Sequence, residues 1–203
     1  MISGIRTRLS QFVKQMGPVG PAVAVLAAIV ILLAVLGDSA RYGLQYERHG
    51  LSSAELWRLV SAHLVHLGWL HSLMNVAALL LIMWLFGPLY RPGAWAVIAL
   101  ASGLAIDAGL WWFSPAVGWY VGLSGLLHGL ATAGGVRLSI ERRPAGYVML
   151  GLMLAKIVWE QLAGALPMTE VASGGSVIVD AHLYGAIGGL LAAVALRARK
   201  EDV

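Results

Sequence analysis

Three polar stretches interrupt an otherwise apolar chain. They are Ala62-His63-Leu64-Val65-His66-Leu67-Gly68-Trp69-Leu70-His71-Ser72-Leu73-Met74-Asn75, Gly122-Leu123-Ser124-Gly125-Leu126-Leu127-His128-Gly129, and Asp180-Ala181-His182-Leu183-Tyr184-Gly185-Ala186-Ile187-Gly188-Gly189. A serine hydroxyl is a poor nucleophile until a base takes its proton, and histidine has the right affinity for protons near neutrality. Ser124 and His182 together would therefore do acyl transfer. His71 and Asn75 stand four residues apart, which puts them on one helix face and lets both aim at one point. Gly125 with Gly129, and Gly185 with Gly189, are small-xxx-small pairs of the kind that let helix backbones approach closely in a membrane. Ser124 directly precedes the first pair and His182 lies one turn before the second. Packing through those glycines would bring hydroxyl and imidazole within hydrogen-bond reach. Ser124 also opens a helix, where free N–H groups favour negative charge.

The elements that must position these groups follow from composition. The chain has 203 residues, 59% hydrophobic and 12% charged, with a mean hydropathy of +0.79. Soluble domains carry about 25% charged residues. Bilayer-length apolar stretches recur throughout, at roughly 19–37, 62–86, 94–113, 124–140, 145–163 and 181–197, which predicts an all-α, polytopic bundle of six transmembrane helices. The six-helix domain is expected over 18–198, with 199–203 as a short tail. Residues 1–17 place Ile5, Leu9, Phe12, Val13 and Met16 at helical spacing with Arg6, Arg8 and Lys14 between them, which fits either a helix lying on the membrane surface or a basic tail. No small-residue cleavage site follows the first apolar run, so it is expected to be retained.

The net charge of +4 does not point to nucleic acid, because the basic residues sit at segment ends. With the N-terminus inside, Arg6, Arg8, Lys14, Arg91, Arg137, Arg142, Arg143, Arg197, Arg199 and Lys200 fall on the cytoplasmic side, against Arg41, Arg48 and Arg58 outside. That asymmetry predicts cytoplasmic termini. All three polar stretches then begin at the outer face and share one depth. An ionisable group within a span is costly and needs a partner or a wet cavity. The long outer segment 38–61 is expected to fold over the bundle, with Tyr42, Leu44, Tyr46, Leu51, Leu56 and Trp57 as apolar anchors. Cysteine is absent, so neither disulfides nor thiolate metal sites are available.

The combination resembles the rhomboid intramembrane serine protease family across the six-span core. The matching pieces are Trp57-Arg58 in the first loop, His66, His71 and Asn75, then Gly122-Leu123-Ser124-Gly125, and Ala181-His182 with Gly185 and Gly189. The resemblance implies a dyad of Ser124 and His182 without a third carboxylate, and no cofactor or metal. It also implies an oxyanion hole of His71, Asn75 and the Ser124 N–H, with His66 and Arg58 holding the first loop. The position four residues after the nucleophile, usually aromatic in that family, is His128 here. Ser-Gly-Leu-Leu-His-Gly is similar to the rhombosortase subgroup, whose implied substrates are membrane-anchored proteins ending in Gly-Gly-containing C-terminal sorting tails. The resemblance thus implies a multi-pass protein of a bacterial inner membrane with its site toward the periplasm. His128 could hydrogen-bond His182 and hold its tautomer, or be a buried histidine bonded to a backbone carbonyl.

Two other classes compete. A catalytically silent rhomboid-like protein could bind membrane helices, but such proteins usually lose one of the pair that Ser124 and His182 form. A histidine-based transporter would use the six histidines, but no His-x-x-Glu-type metal motif accompanies them. Lys156 and Glu160 are expected to pair or to snorkel outward. His63 has no assigned role, and Asp107 has no evident partner in the sequence.

Overall fold

The computed structural model describes Gln11 and residues 14–198. The surface helix or tail expected over 1–17 lies largely outside the described residues, as does the tail 199–203. From Met16 onward the chain is anchored, because Met16 is buried in the main apolar core.

The chain runs through ten α-helices among the described residues. They are α1 (Gly20–Leu36), α2 (Asp38–Leu44), α3 (Arg48–Ser52), α4 (Arg58–Ser61), α5 (Trp69–Phe86), α6 (Pro92–Trp112), α7 (Ser124–Ile140), α8 (Pro144–Ala163), α9 (Thr169–Ser173) and α10 (Val179–Ala198). Prolines open α1, α6 and α8, in the first turn where the missing N–H costs nothing and φ is already helical. Five segments, built on α1, α5, α6, α8 and α10, are long and apolar enough to cross a membrane. The fold is that of an all-α polytopic membrane protein. The sixth helix, α7, has 17 residues and is rich in glycine and alanine. Most of it between Gly125 and Leu138 is buried, with α10, α8, α6 and α5 packed around it.

The second span departs from its expected limits. Apolar composition places its start at 62, whereas α5 begins at Trp69 after an extended Gly68. The backbone of the intervening segment has tertiary partners: the Ala62 carbonyl accepts from the Gly122 N–H at 2.9 Å. His63 and His66 therefore precede the helix and are not carried by it.

The segment 38–61 folds over one end of the bundle. Two-residue strands β1 (Tyr46–Glu47) and β2 (Trp119–Tyr120) pair antiparallel, Tyr46 opposite Tyr120. Both tyrosines are buried in a second core with Ile106, Leu110 and Ala181. Of the expected anchors, Tyr46 is buried, whereas Tyr42, Leu56 and Trp57 are exposed. A ring with one apolar and one polar end suits a membrane–water boundary. The pairing of β1 with β2 has a direct consequence, since it fixes the strand that leads into Ser124.

Candidate active site

The site begins with a turn that requires glycine. Gly122 has φ +119°, a conformation that side chains rarely adopt, and a Cβ there would stand 3.2 Å from the His71 ring. The turn is held by the Tyr120 hydroxyl, which donates to the Gly122 carbonyl at 2.7 Å. It is held also by the Leu123 N–H, which donates to His66 Nε2 at 3.3 Å. His66 thus braces the entry to α7, while its ring meets that of His71 edge-on at 4.8 Å. The chain then starts α7 at Ser124, so the Ser124 N–H lies among the first-turn donors that a helix leaves unused.

Helices α7 and α10 touch backbone to backbone. A methyl group at Gly185 would overlap the Gly125 carbonyl, and one at Gly189 would overlap the Gly129 carbonyl. Gly129 is also closed in by the Ser102 hydroxyl of α6. This contact sets Ser124 against His182, with Oγ and Nε2 at 2.9 Å. His182 is buried, and its Nδ1 lies 2.9 Å from Glu160 Oε2 on α8. Lys156 Nζ bonds the other oxygen of Glu160. With the Glu160 carboxylate accepting from Nδ1–H, Nε2 is left free to accept from the serine hydroxyl.

The other predicted residues gather at the same end. The Leu67 N–H donates to His71 Nδ1 at 3.5 Å, which leaves Nε2 of that ring to carry a proton. Asn75 Nδ2 donates one hydrogen to the His71 carbonyl at 2.9 Å, keeping its second hydrogen unspent. His71, Asn75, Ser124 and His182 line one cavity of about 410 Å³. Its remaining wall is mostly apolar, from Met74, Ala78, Leu127, Met153 and Ile178. Trp57 and Arg58 lie away from this cavity. The Trp57 indole donates to the Gly43 carbonyl at 3.2 Å, and Arg58 bonds Glu55 and the carbonyls of Tyr42 and Gln45.

Of the two readings open for His128, the structure shows the bond to a backbone carbonyl, and Glu160 departs from expectation. His128 does not hydrogen-bond His182: its ring stacks on it at 4.1 Å and 15°, and its Nδ1 donates to the Ser124 carbonyl at 2.7 Å. The carbonyl one turn back on its own helix accepts that hydrogen bond. The partner of His182 Nδ1 is instead Glu160, which sequence reasoning assigned to a pair with Lys156 alone. That pair exists, but Glu160 is turned inward and fully buried. The signal that could have found it is an acid near the end of its span, at the depth of His182. Asp107, without an evident partner in the sequence, lies 3.7 Å from His63 Nε2, both buried.

His128, Glu160 and His182 offer ligand atoms within 4.8 Å of one another. Both oxygens of Glu160 are already engaged by Lys156 and His182, so the ammonium is the cation this carboxylate holds. The donor set is therefore better matched to proton transfer than to a metal.

A family described as the Rhomboid domain matches residues 53–199. A protein of Bacillus subtilis (strain 168), named "Putative rhomboid protease YdcA", is 27% identical over 152 residues, covering 75% of this chain and 73% of that protein. The family match spans α4 to α10 and every cavity residue named above.

Proposed function

Because the chain belongs to the rhomboid family, we propose that it is an intramembrane serine endopeptidase acting on membrane-anchored proteins, with Ser124 as nucleophile and His182 as base. The observation that carries this reading is the 2.9 Å contact between Ser124 Oγ and His182 Nε2, made by side chains on separate helices whose backbones touch through glycine. A hydroxyl and an imidazole so placed, in a cavity between membrane helices, meet the geometric requirement for nucleophile activation.

Ser124 Oγ attacks the scissile carbonyl while its proton passes to Nε2 of His182. The carbonyl oxygen, now anionic, is received by the Ser124 N–H, His71 Nε2–H and the second hydrogen of Asn75 Nδ2. The C–N bond breaks as His182 returns the proton to the leaving amine. Water, or an amine acceptor, then resolves the acyl-enzyme. His128 bonds the Ser124 carbonyl and lies against the imidazole, which keeps the ring in plane between its two partners.

The finer reading is rhombosortase-like removal of a C-terminal tail containing Gly-Gly, followed by a membrane helix. It is supported by the Ser-Gly-Leu-Leu-His-Gly sequence. Two glycines weaken helix and present extended backbone to a tight site. The protein would lie in a bacterial inner membrane, with both termini cytoplasmic and the cavity toward the periplasm, as the Lys/Arg distribution favours.

Labelling of the purified protein by a fluorophosphonate, compared with Ser124→Ala and His182→Ala, tests the enzyme assignment. Labelling is expected in the unsubstituted protein and in neither variant; equal labelling of Ser124→Ala removes the assignment. Co-expression with a Gly-Gly-tailed reporter, and the mass of its new C-terminus, tests the substrate. An unprocessed reporter removes the subgroup reading and leaves the endopeptidase.

A further inference from the structure

We propose that Glu160 is a positioning residue for the reaction, making Ser124, His182 and Glu160 a three-membered relay with Lys156 as the counter-charge of the acid. The proposal rests on the serine-endopeptidase reading, and departs from the two-residue arrangement that the family resemblance implies.

The placement of Glu160 is the first argument. Helix α8 is the least enclosed of the five helices long and apolar enough to cross a membrane, with about a tenth of its apolar stretch buried. Its buried residues are Gly146 and Glu160. Gly146 is buried where α8 crosses the end of α7, packed on Leu138 and Ser139. Met149, Leu150 and Met153 face the protein only partly buried, whereas Glu160 is the one long side chain that this helix buries fully, and it is an acid. A carboxylate removed from water is costly unless its oxygens are engaged. Here each oxygen has a partner, Lys156 on one and His182 Nδ1 at 2.9 Å on the other. The pair is also asymmetric: the Lys156 side chain is 31% exposed and that of Glu160 is 1%. A pair formed for its own sake would be met at no cost nearer the surface. The acid lies deeper than its cation because its second oxygen reaches the imidazole.

The chemistry of the ring supplies the second argument. A neutral imidazole has one N–H and one free nitrogen, and the partner of one nitrogen decides the state of the other. A carboxylate at Nδ1 accepts and never donates when ionised, so it selects the Nδ1–H tautomer. Nε2 is then the free nitrogen, and Nε2 is the atom that meets Ser124 Oγ. The opposite tautomer would set a lone pair against the carboxylate. When the Oγ–C bond forms and the serine proton moves to Nε2, the resulting imidazolium lies beside the Glu160 charge. Glu160 keeps its own protonation state throughout. His128 cannot substitute for it, since its ring lies face-on to that of His182 at 4.1 Å and 15°, and not in the plane a hydrogen bond to Nδ1 needs.

The test compares unsubstituted protein, Glu160→Gln and Glu160→Asp in proteoliposomes, on a fluorogenic peptide carrying a membrane segment. Glu160→Gln keeps the shape but can hydrogen-bond either tautomer, so kcat is expected to fall roughly 100-fold or more at nearly constant KM. Glu160→Asp restores the charge and should recover at least part of that loss. A Glu160→Gln kcat within about threefold of the unsubstituted protein, or no recovery with Asp, overturns the proposal. Should the variants fail to fold, ¹⁵N-histidine NMR of the unsubstituted protein decides: a proton on Nδ1 of His182 supports the relay, and a proton on Nε2 alone overturns it. Full turnover by Ser124→Ala would instead remove the endopeptidase reading itself.

Discussion

Gly185 on α10 lies directly against the carbonyl of Gly125 on α7. No side chain mediates this contact, so the separation of Ser124 from His182 is set by two main chains. Side-chain rearrangement cannot easily alter it.

Substitution at that contact should therefore disturb site and fold together. Gly185→Ala is expected to lower stability by about 1–3 kcal/mol, as overpacking does, and to reduce fluorophosphonate labelling per folded molecule. Gly151→Ala is the matched control, since nothing lies within 4 Å of a Cβ added there. Its melting temperature should be unchanged or slightly raised.

Asn75 has one amide hydrogen bonded to the His71 carbonyl and one to offer. Asn75→Ala is expected to lower kcat by about 100-fold or more, as loss of one oxyanion donor does at roughly 2.7–4 kcal/mol. The melting temperature should shift little. Steady-state turnover beside differential scanning fluorimetry checks both halves, and an unchanged kcat would remove Asn75 from the proposed oxyanion site.

Gly122 couples the loop to Ser124, the proposed nucleophile. With φ at +119° and His71 close by, Gly122→Ala should cost about 1–3 kcal/mol of backbone strain and push the His71 ring aside. The expected kinetic signature is a fall in kcat with little change in KM. A raised KM at unchanged kcat would point to a binding role.

Arg58 spreads its donors over Glu55 and two carbonyls of the segment 38–61. Arg58→Ala leaves those acceptors without their partner and should destabilise by about 1–3 kcal/mol. Limited proteolysis is expected to cut within 42–61 first. Labelling of Ser124 in the surviving folded fraction should persist, because none of these bonds reaches the cavity.

Much of this arrangement was legible in the sequence, for identifiable reasons. The glycine pairs declared where helices must touch, and the polar ends declared a common depth. The limits of α7 are those that the apolar run alone predicts, 124 to 140. The start of α5 was hidden because hydrophobicity does not distinguish helix from extended chain when tertiary partners take the backbone groups, as Gly122 takes the Ala62 carbonyl. Glu160 was hidden for a different reason. Its spacing from Lys156 is complete as a local pair, and its contact with His182 exists only once α8 is laid against α10. His128 illustrates the reverse: a candidate for a long-range bond was satisfied by the carbonyl one turn behind it.

The length of α7 carries a consequence of its own. Seventeen residues span about 26 Å at 1.5 Å each, less than the roughly 30 Å of hydrocarbon that a lipid-facing helix must match. A helix in contact with acyl chains would answer that mismatch by thinning the bilayer or recruiting partners. Because α7 is walled off by its neighbours, it answers to protein and not to lipid, and it can stop one turn short. Under the proposed endopeptidase reading, a nucleophile carried on such a helix need not sit at a depth that acyl chains dictate.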